Sequence, residues 1–223
     1  MRVLAIETST SQASVALLEN GTLVIERAHA RPKQSAERLL PLIAELLAET
    51  GWPRTSLARI GVSVGPGSFT GLRVGIACAQ GLALGLGLPI VGVTSLRAMA
   101  RAVPEKLPGR RCAVLDARRN EVFCAIHEAG PRAAEVVAAR ALPATTARAI
   151  IEQEHPAPLV WIGSGLALLG ETATFAAPGS DEPSASAVGL LAEELEPDEH
   201  PPLPVYIRDA GATLPDLGAP ARH

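Results

Sequence analysis

The sequence predicts an α/β protein made of two related lobes in tandem. Three observations carry that prediction. Short apolar runs alternate with helical periodicities through the first hundred residues. The segments 6–21 and 115–130 agree at one fixed offset. An apolar strand followed by a glycine turn occurs twice, as Val64-Gly65-Pro66-Gly67 and as Ile162-Gly163-Ser164-Gly165. The chain has 223 residues, enough for one large or two small domains. It is 48% hydrophobic and only 3% aromatic, so its core is aliphatic.

The first unit opens with strands over 3–7, 13–19 and 22–28. Asn20-Gly21 joins the last two as a hairpin turn, because both residues tolerate positive φ. A helix follows over 36–49, where Leu39, Leu42, Ile43, Leu46 and Leu47 recur at helical spacing. Ser35 is placed to cap it, Pro41 to mark its first turn or kink it, and Gly51-Trp52-Pro53 to end it. A strand over 60–64 then runs into the turn Gly65-Pro66-Gly67-Ser68, a small-residue helix over 71–86 and a strand over 88–93. The order is β-β-β-α-β-α-β.

Residues 97–109 read as a helix and linker, after which strands over 111–116 and 121–127 restart the pattern. Ile6 meets Leu115, Glu7 meets Asp116, Ala16 meets Ala125, Leu17 meets Ile126, Glu19 meets Glu128 and Gly21 meets Gly130, with no gap. Agreement in one register favours duplication. Two units of this order describe the duplicated ribonuclease-H-like fold, the two-lobe plan of actin and the sugar kinases. The first lobe is expected over 1–100, rejoined by 203–223, and a smaller second lobe over 101–202. The Ala-, Pro- and acid-rich stretch 193–204 and the tail 210–223 read as mobile.

Composition narrows the function. The net charge is −3 and no basic run exceeds the pairs Arg110-Arg111 and Arg118-Arg119, which argues against gripping nucleic acid unaided. Cys78, Cys112 and Cys124 lie in apolar contexts without a CxxC spacing and read as reduced core residues. Residues 74–93 carry no charge, yet Gln80, the glycines and Pro89 favour a buried helix plus strand over a membrane span. With no signal peptide recognisable, a cytoplasmic location is expected. His29, His127, His155, His200 and His223 are scattered, no two at the spacing of a metal pair, so no metal and no cofactor are expected. Ser68 and Ser164 sit in glycine turns without a nucleophile frame, and Ser68 or Thr70 suits a helix cap better.

Glu7 and Asp116 each close the first strand of a lobe, where acids and the glycine turn 65–71 could face a nucleotide. An ATP-dependent kinase or hydrolase is therefore the competing reading. Against it, Thr8-Ser9-Thr10-Ser11-Gln12 offers no glycine through which backbone could approach a phosphate. The helix over 71–86 points elsewhere. Gly71, Gly75 and Ala79, then Gly81 and Gly85, recur at spacing four. Each helical glycine costs about 1 kcal/mol relative to alanine, so close approach by another element is expected.

Several of these segments resemble one family. They are Val3-Leu4-Ala5-Ile6-Glu7-Thr8-Ser9-Thr10, Gly65-Pro66-Gly67-Ser68-Phe69-Thr70-Gly71-Leu72-Arg73-Val74-Gly75, Ala79-Gln80-Gly81-Leu82-Ala83, Leu115-Asp116-Ala117-Arg118 and Pro204-Val205-Tyr206-Ile207-Arg208. Together they look like the bacterial TsaB family, also called YeaZ, across nearly the whole chain. The resemblance implies a dimerisation subunit of the complex that makes threonylcarbamoyladenosine beside the tRNA anticodon. It implies no catalysis by this chain alone, and no membrane. The implied partners are the TsaD paralogue, which is the transferase, the TsaE ATPase through the complex, a second copy of the chain, and tRNA only through the complex. It places the partner interface on the two long helices, at Leu39, Leu42, Ile43, Leu46, Gly75, Ala79, Leu82 and Leu86. Glu7 and Asp116 then mark a degenerate nucleotide cleft. The chain departs from the family at Glu7, where most relatives carry Asp, at Asn120, where glycine is usual, and at Ser35, where histidine is frequent.

Overall fold

The strand β1 (Arg2–Glu7) is buried on both faces, and its alternation sorts its side chains between two helical layers. Leu4 and Ile6 face one apolar cluster with Val15 and Leu17 of β2 (Ala13–Glu19), while Val3, Ala5, Ala16 and Leu18 face another. A computed structural model describes residues 1–29, 35–170 and 180–207. The side chains of His29 and Ser35, together with Arg208, His223 and the tail, lie outside what it describes.

The first sheet has the order β3-β2-β1-β4-β5, with β3 at Thr22–His29, β4 at Arg59–Gly65 and β5 at Ile90–Thr94. β1 to β3 are antiparallel neighbours, and β4 and β5 run parallel to β1 and to each other. Helices α1 (Ser35–Thr50) and α2 (Phe69–Leu86) cover one face. Ser68 caps α2, its hydroxyl accepting from the Gly71 N–H at 3.2 Å. Gly87, at φ 65°, ends it in the left-handed conformation. The apolar stretch 74–93 is thus a helix and a separate strand.

Helix α3 (Ser95–Ala102) leads to the second sheet, of order β8-β7-β6-β9. Its strands are β6 (Arg110–Arg118), β7 (Glu121–His127), β8 (Glu135–Pro143) and β9 (Leu159–Ile162), with α4 (Ala144–Glu154) packed against them. The order repeats the first sheet without its last strand, as a duplication requires.

Three expectations need correction. Ala5 pairs with Ala16, but Ala113, not Val114, pairs with Ala125. The fixed offset therefore finds the right strands and misses their register by one residue. After its glycine turn the second lobe forms a short 3-10 helix, Ser164–Leu169, where the first lobe has the 18-residue α2. Finally, helix α5 (Ala185–Glu194), expected in the second lobe, packs on β1, β2 and β4 of the first. Gly61 and Gly189 permit that packing, since a Cβ at either would overlap Ala192 or Leu18. The chain thus rejoins the first lobe by residue 185, ahead of 203.

Candidate interaction surface and cleft

The glycine turn serves the protein's own backbone. A Cβ on Gly67 would overlap the Ser9 carbonyl oxygen, one on Gly71 the Thr8 carbonyl oxygen, and one on Gly75 the Thr8 hydroxyl. The Ser68 N–H donates to the Ser9 carbonyl at 2.6 Å, and the Thr8 hydroxyl to the Gly71 carbonyl at 2.9 Å. The segment after β1 therefore packs directly on the turn and on the start of α2.

The residues expected at the partner interface mostly lie inside the first lobe. Leu39, Ile43, Leu46, Gly75 and Ala79 are buried, and Leu42, Leu82 and Leu86 are half-buried against the same core. The physical reason is the stripe itself. Leu39, Leu42, Ile43 and Leu46 follow the i, i+3, i+4, i+7 spacing of one helix face, and β2, β3 and α2 cover that face.

The outer faces carry a different set. On α2 the row Phe69, Arg73, Ala77, Gly81, Gly85, at spacing four, is exposed throughout, and Leu84 beside it is 87% exposed. Arg73 is the sole charged residue of α2. Neither Gly81 nor Gly85 has positive φ, and a Cβ at either would meet nothing within 4 Å. Nothing among the described residues explains these two glycines. The helix has a mean hydropathy of 1.4, enough by length and composition for a membrane span, yet only 28% of it is buried in its own chain. On α1, Leu40, Pro41 and Ala44 are exposed.

A pair of aromatic rings stands at the start of this row. Phe69 and Tyr206 have centroids 5.5 Å apart, the Arg73 guanidinium lies 3.9 Å from the Phe69 centroid, and Arg73 Nε donates to the Tyr206 hydroxyl at 3.2 Å. Phe69 and Arg73 belong to the glycine-rich motif and Tyr206 to a distant one; their separation in sequence hid the cluster.

Between the lobes lies a cavity of about 730 Å³, lined among others by Ser9, Thr10, Ser68, Asp116, Arg118 and Glu182. Asp116 reaches it from β6, and its carboxylate accepts from the Arg118 N–H at 2.6 Å and from the Arg118 guanidinium at 3.2 Å. Arg118, Arg119 and Asn120 all adopt positive φ, so the turn keeps the left-handed backbone that a glycine would satisfy more easily. Glu7 does not line the cavity. It is fully buried beneath Ser9, accepts the Ser9 N–H through Oε1, and has no partner at Oε2. Burial raises its pKa; Ser9 and Ser63 oppose that, and the charge of Glu182 adds to it. The two acids sit at different depths, one solvated and ion-paired, the other sealed. Among the described residues, no group of three His, Cys, Asp or Glu side chains could hold a metal ion.

Sequence reading missed one further group. His127 is fully buried with neither ring nitrogen hydrogen-bonded, and burial, helped by the nearby Arg97 charge, lowers its pKa to about 3. The alternation Phe123, Ala125, His127 along β7 does not distinguish a core histidine from an exposed one. Cys112 and Cys124 are buried as expected, and burial pushes the Cys124 thiol up to about 12.

Two ribonuclease-H-like sheets flanking a cleft, the first with a glycine turn packed against its own β1 segment, define an actin-like, sugar-kinase-like protein. Comparison with known proteins agrees. The family model described as "TsaD: tRNA N6-adenosine threonylcarbamoyltransferase" matches residues 24–151. The Escherichia coli protein named tRNA threonylcarbamoyladenosine biosynthesis protein TsaB is 42% identical over 131 residues, covering 57% of this chain and 55% of that one. The match thus spans about half the length of that relative. The Bacillus subtilis protein of the same name is 29% identical over 95% of this chain and 96% of its own. The solved structure of YeaZ from Pseudomonas aeruginosa superimposes with a TM-score of 0.76 at 29% identity, covering 92% of this chain and 99% of that one. The chain belongs to the bacterial TsaB (YeaZ) family.

Proposed function

We propose that the chain is a non-catalytic subunit in the synthesis of threonylcarbamoyladenosine in tRNA. It docks a TsaD-type transferase paralogue, and keeps it in a working state, through the outer faces of α1 and α2. The observation that carries this reading is the exposed, nearly uncharged face of α2, whose Gly81 and Gly85 meet nothing among the described residues. Glycine in an exposed helix costs about 1 kcal/mol, and a partner backbone packed closely against it would offset that cost. The match of the TsaD family model to residues 24–151 supports a paralogous partner that presents an equivalent helix pair. The same face suits a second copy of the chain. The TsaE ATPase and tRNA would be met through the assembled complex, since a chain of net charge −3 supplies few phosphate contacts.

The competing enzyme reading, with Glu7, Asp116 and the 65–71 turn handling ATP, is disfavoured because the turn's glycines and the Ser68 N–H are engaged by the Thr8 and Ser9 backbone, and Glu7 is sealed from the cavity. Co-purification with the organism's own TsaD-type paralogue, followed by tRNA modification with and without this chain, tests the proposal. Capture together with chain-dependent modification is expected. ATP turnover by the pure chain that is lost on Asp116→Ala would replace this reading with the enzyme one.

A further inference from the structure

The segment that follows α5 was expected to be mobile, and the structure shows it pinned. The Gly92 N–H donates to the His200 carbonyl at 2.8 Å and the Val205 N–H to the Val64 carbonyl at 2.7 Å. The Gln80 side chain donates to the Pro202 carbonyl at 3.3 Å, and Arg73 to the Tyr206 hydroxyl at 3.2 Å. A Cβ on Gly92 would overlap the Pro201 carbonyl oxygen, so β5 is built to receive this strap. The strap runs beside α2, on the side opposite α1, whose leucines share a core with Val74, Cys78, Leu82 and Leu86 of α2.

What the strap displays is apolar. Leu203 is 61% exposed and Tyr206 48%, next to Phe69 at 50%. The chain holds six aromatic residues in all, three Phe, two Trp and one Tyr, and two of them meet at this exposed spot. Their rings are held in place by the Arg73 guanidinium, so a partner would find them already ordered.

The size of the α2 face shows why a strap is needed. From Phe69 to Gly85 a helix rises about 24 Å and is about 10 Å wide, a ridge of about 240 Å². A stable protein interface takes about 800 Å² from each partner. The ridge alone falls well short. It needs both flanks, Leu40 and its neighbours on α1 and the strap on the other side.

Resting on the docking role argued above, we propose that the strap is the third part of the docking face. Its Phe69–Arg73–Tyr206 cluster is an anchor for the transferase paralogue, a chain of the same two-lobe class. The occupant presents an apolar side chain to the two rings and a carboxylate to Arg73. Within the described residues Arg73 uses only Nε in a hydrogen bond, which leaves its other guanidinium N–H groups for such an acid. Exposed Tyr and Arg side chains held rigid are the usual energetic centres of protein interfaces. A nucleic-acid platform would stack bases on the same rings, but it needs several phosphate-neutralising cations, and Arg73 is the sole charge on α2.

Binding of the full chain to the paralogue, measured by calorimetry, tests this with Tyr206→Ala, Phe69→Ala and Leu84→Glu, each checked by circular dichroism. All three residues are exposed, so folded variants are expected. Leu84→Glu should abolish binding, and Tyr206→Ala and Phe69→Ala should each weaken it tenfold or more. Tyr206→Phe, which keeps the ring, should recover most of the loss. If Leu84→Glu abolishes binding while both aromatic variants bind within twofold of the original, the strap proposal falls and the docking role stands. If all three bind normally, both fall. If Tyr206→Ala leaves subunit affinity intact and instead lowers tRNA retention by the assembled complex, the cluster is a nucleic-acid platform and the proposal is overturned.

Discussion

His127 and Glu7 are two sealed ionisable groups whose protonation pulls stability in opposite directions. The pKa of His127 is about 3 in the folded chain against 6.5 unfolded. Between those values the unfolded chain binds a proton that the folded chain refuses. The His127 contribution is thus complete above about pH 6.5 and is lost as pH falls toward 3, by on the order of a few kcal/mol. Urea midpoints should fall over that window, and His127→Phe should flatten the fall. Glu7 behaves in the reverse sense. Its folded pKa lies above 4.5, so its contribution is complete below that pH and is lost as pH rises through the folded value. Glu7→Gln keeps an acceptor for the Ser9 N–H and removes the buried charge. It should raise the urea midpoint at pH 7, and a lower midpoint there would show that the carboxylate is wanted charged. Little of this was legible beforehand. Strand-end acids are visible in sequence, but depth is not, and depth separates sealed Glu7 from solvated Asp116.

At the scale of elements, α2 holds two sets of glycines that should respond oppositely to the same substitution. Gly71 and Gly75 press on Thr8, and alanine at either forces the segment after β1 away from α2, a cost of about 1–3 kcal/mol by analogy with overpacked cores. Gly81 and Gly85 face open space, and alanine there should stabilise the isolated chain by about 0.5–1 kcal/mol. The same Gly81→Ala and Gly85→Ala changes should weaken partner binding. Thermal unfolding of the four variants checks the first part, and calorimetry with the paralogue the second. Stabilised variants that bind normally would show that no backbone approaches there. The sequence located this helix and its small residues correctly. It could not say which row faced the sheet, because Gly75–Ala79 and Gly81–Gly85 are equally small. On α1 the spacing itself held the clue. Leu39, Leu42, Ile43 and Leu46 form one stripe, which a single core contact explains, and the leucine off that stripe is Leu40, the exposed one.

For the whole molecule, duplication explains the architecture, and the inequality of the two lobes separates their uses. The first lobe has a fifth strand, the long α2 and the returning α5, whereas the second has four strands and a short 3-10 helix. The repeat was legible because strand-end acids and hairpin glycines recur; the register slip was not, because alternating apolar strands align almost equally well one residue apart. The return of α5 is not legible in the sequence because packing between segments so far apart in the chain leaves no local trace. The larger lobe carries all of the exposed apolar helix surface on which the docking role depends. The most direct measurement is threonylcarbamoyladenosine formation on tRNA, reconstituted from the organism's other subunits with either this chain or its Leu84→Glu variant. A full yield with the original chain, and a background yield with the folded variant, is the predicted result. Equal yields with the two, or the same yield with neither present, would contradict the docking role.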